Sequence, residues 1–241
     1  HQINELEFFG DADSTAPTLS SSTPADNATS VSESANIVLN FDESVDAETG
    51  NITIKKTSDN STIETIDVTG SKVTGSGSSQ ITVNPATTLD SSTEYYVLID
   101  ATAFDDSSSN SYTGISSTTA LSFTTGDTSN PTLSSSTPDD NATTVGVNAN
   151  IVLNFSENVD AETGNITIKK TSDNSTIETI DVTGAKVSGS GSSQITVNPS
   201  STWGSSTEYY VLIDATAFDD SSNNSYAGIS STTALSFTTE S

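Results

Sequence analysis

The chain contains the same sequence twice. Residues 17–125 and 131–239 align without a gap at an offset of 114, and 94 of the 109 aligned positions are identical. A repeat of more than about 100 residues is long enough to bury a core of its own, whereas a solenoid unit of roughly 20–50 residues is not. We therefore predict two complete domains of one fold.

Charge narrows the classes of partner. The 241 residues include 32 acidic and 6 basic side chains, for a formal net charge of −26, and all six basic residues are lysines. The negative electrostatic field of such a chain repels phosphate backbones and anionic headgroups, so we expect no nucleic-acid partner and no binding to a membrane surface. No run of about 18 apolar residues occurs, and we expect no membrane insertion. Cations are the favoured partners.

Several kinds of site are excluded by the residues that the chain lacks. It has no cysteine, and its one histidine is residue 1. Disulfides, thiolate metal sites, cysteine nucleophiles and Ser-His-Asp triads therefore cannot be built from the repeats.

A cysteine-free chain is compatible with either a secreted or a cytosolic protein. The Ser-, Thr-, Asn- and Asp-rich, lysine-poor composition favours a secreted or cell-surface bacterial protein. No signal sequence opens the chain, and we expect it to be part of a longer protein.

Carboxylates are the only groups left for catalysis, and glycoside hydrolysis is the usual reaction of that kind. Such an enzyme needs a cleft with aromatic platforms for sugar, but aromatic residues make up only 6% of the chain. We therefore predict that the protein is not an enzyme. Carbohydrate binding without catalysis is the alternative function, and it would rest on Trp203, Tyr112, Tyr226 and the polar loops.

Short alternating runs predict strands throughout the first repeat, and the second repeat copies them. The predicted strands are 17–22, 36–41, 51–56, 62–68, 80–84, 95–100 and 120–125. Clusters of Asp, Asn, Ser, Gly and Pro separate these runs, and no helical apolar stripe persists for three turns. The predicted fold class is all-β, with two tandem Ig-like Greek-key β-sandwiches of about seven strands each.

A tyrosine corner is predicted where the sixth strand begins. Leu89 lies six residues before Tyr95 in the first repeat, and Trp203 and Tyr209 take the same places in the second. This spacing is typical of the corner at which a tyrosine hydroxyl bonds back to the chain in Ig sandwiches. Packing in this corner explains Trp203 better than sugar binding does.

Three longer segments of the sequence are similar to a known domain family. They are P-T-L-S-S-S-T-P-A-D-N-A-T at 17–29, N-I-V-L-N-F-D-E-S-V-D at 36–46 and A-F-D-D-S-S-S-N at 103–110. Together they resemble the bacterial Ig-like domains of S-layer proteins, adhesins and multidomain secreted enzymes, across nearly all of both repeats. The resemblance implies a non-catalytic spacer or binding role, with neighbouring domains of the same chain as partners. Both repeats lack the proline that this family usually carries after the Ser-Glu of its second strand.

The two ends of the repeats set the expected domain boundaries. Residues 1–10, H-Q-I-N-E-L-E-F-F-G, are similar to the closing strand of discoidin-like galactose-binding domains, although a tag or a disordered tail is an equal alternative. We predict a tail of an upstream domain or a tag over 1–14, Ig-like domain 1 over 15–125, a linker over 126–130 and Ig-like domain 2 over 131–241.

Carboxylates are expected to converge at one end of each domain. In an Ig sandwich the incoming chain, the B–C loop and the F–G loop share a pole. In the first repeat these segments carry Asp11, Asp13, Asp42, Glu43, Asp46, Glu48, Asp105 and Asp106, and in the second Asp127, Glu157, Asp160, Glu162, Asp219 and Asp220. Crowded carboxylates repel one another, and Ca²⁺ accepts six to eight oxygen ligands of this kind.

The sequence thus predicts a calcium site at each domain junction, where the ion would stiffen the tandem. The proposed metal ligands are Glu43, Asp46, Asp105, Asp106, Asp127, Glu157, Asp160, Asp219 and Asp220. The alternative is that these are solvated turn residues that close Asx-turns. No stretch fits the D-x-[DN]-x-[DN]-G calcium loop, so no local motif decides between the two.

Overall fold

The structure, a computed structural model, describes residues 13–241. It divides into two compact units between Asp127 and Thr128. The described part consists of strands joined by turns and irregular segments, and it has no helix and hence none that could span a bilayer. The resemblance of residues 1–10 to a discoidin-like strand falls outside the described residues.

Ten strands form the first unit. They are β1 (Leu19–Thr23), β2 (Ala28–Val31), β3 (Ile37–Ala47), β4 (Asn51–Lys56), β5 (Thr62–Asp67), β6 (Val73–Thr74), β7 (Ser78–Val83), β8 (Glu94–Ile99), β9 (Phe104–Asp105) and β10 (Ser122–Thr125).

The second unit has the same ten strands. They are β11 (Leu133–Thr137), β12 (Ala142–Val145), β13 (Ile151–Ala161), β14 (Asn165–Lys170), β15 (Thr176–Asp181), β16 (Val187–Ser188), β17 (Ser192–Val197), β18 (Glu208–Ile213), β19 (Phe218–Asp219) and β20 (Ser236–Thr239).

Each unit pairs its strands into two sheets. In the first unit the orders are β1-β3-β7-β6 and β2-β10-β8-β4-β5, and β9 pairs with the end of β3. The second unit repeats this arrangement with β11-β13-β17-β16 and β12-β20-β18-β14-β15. In the first unit β10 runs parallel to β2, and the other neighbouring strands are antiparallel. Non-consecutive strands thus lie side by side, as in a Greek-key sandwich.

The core of each unit lies between its two sheets. Alternate residues of β3 point inward, and Ile37, Leu39 and Phe41 are at most 5% exposed. The tyrosine corner is confirmed, because the Tyr95 hydroxyl accepts a hydrogen bond from Asp90 N–H at 2.9 Å. Tyr209 does the same with Gly204 N–H at 2.8 Å. The predicted all-β fold of two tandem Ig-like sandwiches is confirmed.

The main departure from the predicted strands is the length of β3 and β13. The first was expected to end at Phe41, with an acidic loop after it, but it continues to Ala47. Its register shifts between Asn40 and Val45, and Val45 is then 1% exposed while Asp42 and Asp46 are exposed. Since β9 supplies a partner for the extension, the backbone there is paired despite the polar sequence. The short strands β2, β6 and β9 were not predicted.

Candidate functional site

Asp106 is the most firmly positioned carboxylate at the acidic end of the first unit. It follows β9, and it is 5% exposed. Its Oδ1 accepts hydrogen bonds from the N–H groups of Ser108 and Asn110, both at 2.8 Å, and its Oδ2 accepts one from Asn110 Nδ2 at 2.7 Å. The bond from the Asn110 side chain, followed by the two backbone bonds, lowers the pKa of Asp106 despite its burial. This carboxylate is therefore held ionised and in one orientation.

Asn110 also brings the incoming chain to this carboxylate. Its Nδ2 donates a second hydrogen bond to the backbone carbonyl of Asp13 at 3.1 Å. The Asp13 carboxylate in turn accepts a bond from Thr15 N–H at 3.0 Å. Sequence reasoning missed this role of Asn110, for which the only signal was its place at the end of the D-D-S-S-S-N turn.

Three carboxylates meet at this point. Asp13, Glu43 and Asp106 each offer an oxygen, and these atoms lie within 4.8 Å of one another. Burial, and then the negative charges of Asp106, Asp13 and Asp42, raise the pKa of Glu43. Two oxygens bound to one calcium ion at about 2.3–2.6 Å from it can be up to about 5 Å apart, so this spacing fits a shared hard cation. We refer to Asp13, Glu43 and Asp106 as the acidic triad.

Two other predicted ligands lie beside the acidic triad and form a separate pair. Asp46 and Asp105 face each other across β3 and β9. Asp46 Oδ1 accepts a bond from Ser76 Oγ at 3.3 Å, and Asp105 Oδ1 is buried without a hydrogen-bond partner. The prediction that Glu43 and Asp46 occupy a loop is wrong, because both belong to the extension of β3.

The residues of the second repeat that correspond in sequence to the acidic triad are Asp127, Glu157 and Asp220, at an offset of 114. Asp220 is 5% exposed, and its carboxylate accepts three bonds, each 2.8 Å long, from Ser222 N–H, Asn224 N–H and Asn224 Nδ2. Asp127 is the last residue of the first unit, where its Oδ1 accepts a bond from Ser91 Oγ at 3.1 Å.

The other acidic residues of the second repeat also match the first. Glu157 and Asp160 lie on β13 and not in a loop. Asp160 faces Asp219 of β19, and Asp219 Oδ1 is buried without a hydrogen-bond partner, as in the first repeat. Glu162 follows the end of β13, as Glu48 follows the end of β3.

One acidic side chain near the acidic triad is already engaged elsewhere. Both oxygens of Asp42 accept bonds of 2.7 Å from Thr18, one from its N–H and one from its hydroxyl. The backbone bond and then the hydroxyl bond lower the pKa of Asp42. Asp42 thus anchors the segment before β1. Asp11 falls outside the described residues.

The aromatic residues proposed for sugar binding are buried in the two cores. Trp203 is 3% exposed, and Tyr112 and Tyr226 are each 6% exposed. The ring centroid of Trp203 lies 4.7 Å from that of Phe237, and the centroid of Tyr112 lies 5.2 Å from that of Phe41. These three side chains therefore offer no stacking platform for sugar. The interpretation that Trp203 packs in the tyrosine corner is confirmed, since its ring centroid lies 6.0 Å from that of Tyr209.

Comparison with known proteins gives a family match over nearly the whole chain. A family model described as "Bacterial Ig-like domain" matches residues 13–125 and 127–239. A search of curated proteins finds no significant match.

Several solved structures are similar in part. Residues 31–844 of the S-layer protein SbsC share 14% identity with this chain, over 88% of it and 26% of that structure, with a TM-score of 0.32. The N-terminal part of SbsC shares 13% identity over 89% of this chain and 43% of its own, with a TM-score of 0.32. A biofilm-associated protein shares 13% identity over 88% of this chain and 28% of its own, with a TM-score of 0.24. This chain spans less than half of each of these structures.

Proposed function

The chain belongs to the bacterial Ig-like domain family, and on that basis we propose that its two units are non-catalytic structural modules that space other parts of a secreted or cell-surface bacterial protein. One observation carries this proposal. Each unit closes a sandwich around a separate cluster of twenty buried residues, so each is a complete building block. The lysine-poor acidic composition is typical of secreted proteins and keeps neighbouring modules soluble.

Stretching single molecules of the tandem tests the spacer function. A spacer built from complete sandwiches should resist force and unfold in two separate steps of equal contour length, since the repeats are equally long. Extension without resistance, or one concerted step, would contradict the proposal. Incubation with a panel of polysaccharides should release no reducing sugar, and release would contradict the non-catalytic assignment.

We further propose that the acidic triad binds calcium and that the bound ion stiffens the point where a module joins the preceding chain. Two features of the first unit support this. Asp106 is held ionised by three hydrogen bonds, and the raised pKa of Glu43 reflects burial together with repulsion that a cation would offset. Carboxylate oxygens are the ligands that Ca²⁺ prefers, and Asp13 lies on the incoming segment, so a bound ion would tie that segment to the module.

Isothermal titration of calcium into the EDTA-treated tandem tests the binding. We expect heat of binding and an increase in Tm of about 5 °C or more at saturation. The variant with both Glu43→Gln and Glu157→Gln should lose most of this heat. Glu94→Gln, which removes an exposed charge on β8, is the matched control and should bind as the wild type does. If the wild type gives no heat and an unchanged Tm, the calcium proposal is wrong.

Amide hydrogen exchange over residues 13–18 tests the stiffening separately from the binding. Calcium should slow exchange in this incoming segment of the first unit. Exchange that does not respond while titration shows binding would mean that the ion does not stiffen the segment. Carbohydrate binding has no comparable support, since the aromatic residues on which it would rest are buried.

A further inference from the structure

The first strand of each unit lies at a sheet edge and contributes little to the core. β1 pairs only with β3, and β11 pairs only with β13. None of the five residues of β1 is buried, and in β11 only Ser136 is. Leu19 and Leu133 each pack against the core while partly exposed. Little apolar area is therefore exposed to water when such a strand separates.

Separation of this strand uncovers a well-formed binding edge. β13 carries the buried residues Ile151, Leu153 and Phe155 and stays paired with β17 on its other side. A strand with unpaired N–H and C=O groups is a template for another strand. The strand that fits best is L-S-S-S-T itself, which occurs identically as β1 and β11. A second copy of the chain therefore supplies the matching partner.

The two edge strands differ in how they are anchored. In the first unit both oxygens of Asp42 bind Thr18, just before β1, at 2.7 Å. In the second unit Ser156 replaces this aspartate, and its Oγ accepts one bond from Thr132 N–H at 3.0 Å. Hydrogen bonds to an ionised acceptor are stronger than those between neutral groups. β11 is therefore held less firmly than β1.

We propose that the second unit exchanges β11 with the same strand of a second copy of the chain, so that the edge of β13 is an interaction surface between copies. Reciprocal exchange restores every hydrogen bond of the β11–β13 pair in both copies. The cost is that of opening the strand and of straightening the connection over residues 138–141. That connection is held to β20, because Asp140 Oδ1 accepts a hydrogen bond from Ser236 N–H at 2.9 Å and Asn141 N–H donates one to the Ser236 carbonyl at 2.7 Å. The first unit exchanges more slowly because Asp42 holds its edge strand.

Engineered cysteines test this proposal. The chain has no cysteine of its own, so no native thiol can form a competing disulfide. Ser135 and Asn154 are partners across β11 and β13, and Asn154 Nδ2 donates to Ser135 Oγ at 3.0 Å. The variants Ser135→Cys and Asn154→Cys are made in separate chains, mixed, held a few degrees below the melting temperature and then oxidised. Exchange places the cysteine of one chain opposite that of the other, and non-reducing electrophoresis detects the covalent dimer.

The yield of covalent dimer should depend on the hydrogen bonds that residue 42 or 156 makes to the segment before each edge strand. The mixture should give a covalent dimer in clear excess over either variant alone. Adding Ser156→Asp to both chains should lower the yield by about threefold, because it restores the charged acceptor for Thr132. The equivalent pair in the first unit, Ser21→Cys with Asn40→Cys, should give the lower yield, and Asp42→Ser should raise it.

No excess of dimer in the mixture would overturn the exchange. An unchanged yield with Ser156→Asp would overturn the role of the hydrogen bond between residues 132 and 156. Each substitution at position 42 or 156 introduces the residue that the other repeat carries there. The Tm of each variant shows whether it folds.

Discussion

At the scale of single residues, Thr144 is held in a backbone conformation that its side chain disfavours. Its φ is 61°, in the left-handed region, at the register shift between β12 and β20. A β-branched residue with positive φ is strained, whereas asparagine tolerates this region. We predict that Thr144→Asn raises the free energy of unfolding of the second unit by about 1 kcal/mol.

Urea unfolding followed by the fluorescence of Trp203, the only tryptophan, measures this effect in the second unit. Thr143→Asn changes the exposed residue next to it and is the matched control, for which no stabilisation is expected. Ser30→Asn at the equivalent position, where φ is 56°, should stabilise the first unit by less, since serine is not β-branched. Equal effects of substitution at 143 and 144 would contradict the strain argument.

At the scale of elements, a buried carboxylate ties β5 to the segment before the tyrosine corner. Glu64 accepts bonds from Lys72 Nζ and from the N–H groups of Ala86 and Thr87. Burial alone would raise the pKa of Glu64, but these bonds outweigh burial and lower it from 4.5 to about 2. In the second unit Glu178 is held by Lys186 and by the N–H groups of Ser200 and Ser201, and its pKa is also lowered to about 2.

This carboxylate makes stability depend on pH in the acid range. Because the folded pKa of Glu64 is below its unfolded value, its contribution is complete above pH 4.5 and is lost as the pH falls from 4.5 towards 2. We predict that Glu64→Gln with Glu178→Gln lowers the unfolding free energy of each unit by roughly 1–3 kcal/mol at pH 7 and flattens its decline between pH 4.5 and 2. Thermal melts from pH 7 to 2 measure this, with Glu94→Gln as the control. A double variant that keeps the wild-type pH slope would show that other groups cause the decline.

At the scale of the whole molecule, each core is built from residues of its own unit. Phe41 packs against Phe104 and Tyr112 in the first unit, and Phe155 packs against Phe218 and Tyr226 in the second. We predict that Phe41→Ala lowers the stability of the first unit by about 3–5 kcal/mol while leaving the unfolding transition of Trp203 unchanged. Phe155→Ala should move that transition by the same amount.

Circular dichroism and Trp203 fluorescence, recorded on the same samples, separate the two units. Circular dichroism reports strands of both units, so Phe41→Ala should split its transition into two steps, of which the fluorescence follows the more stable one. If Phe41→Ala moves the fluorescence transition as far as Phe155→Ala does, the units unfold together and the prediction fails.

Prediction from the sequence succeeded where the signal was local. Alternating runs such as N-I-V-L-N-F indicated the seven main strands, because a half-buried strand imposes a period of two on its own residues. The prediction was incomplete at Asp42–Ala47, where four polar residues obscure the inward position of Val45. Trp203 shows the value of spacing, since its separation of six residues from Tyr209 indicates packing in a tyrosine corner.

Two sandwiches of one kind follow from the repeated sequence alone, as do acidic residues on the incoming segment and on two further segments of each repeat. Folding determines which carboxylates meet, that β3 continues past Phe41, and that Asn110 links Asp106 to the incoming chain. Periodicity and turn chemistry cannot predict these features, because they act over only a few neighbouring residues. The acidic triad joins residues 13, 43 and 106, and their approach depends on how β3 and β9 pair across the whole unit.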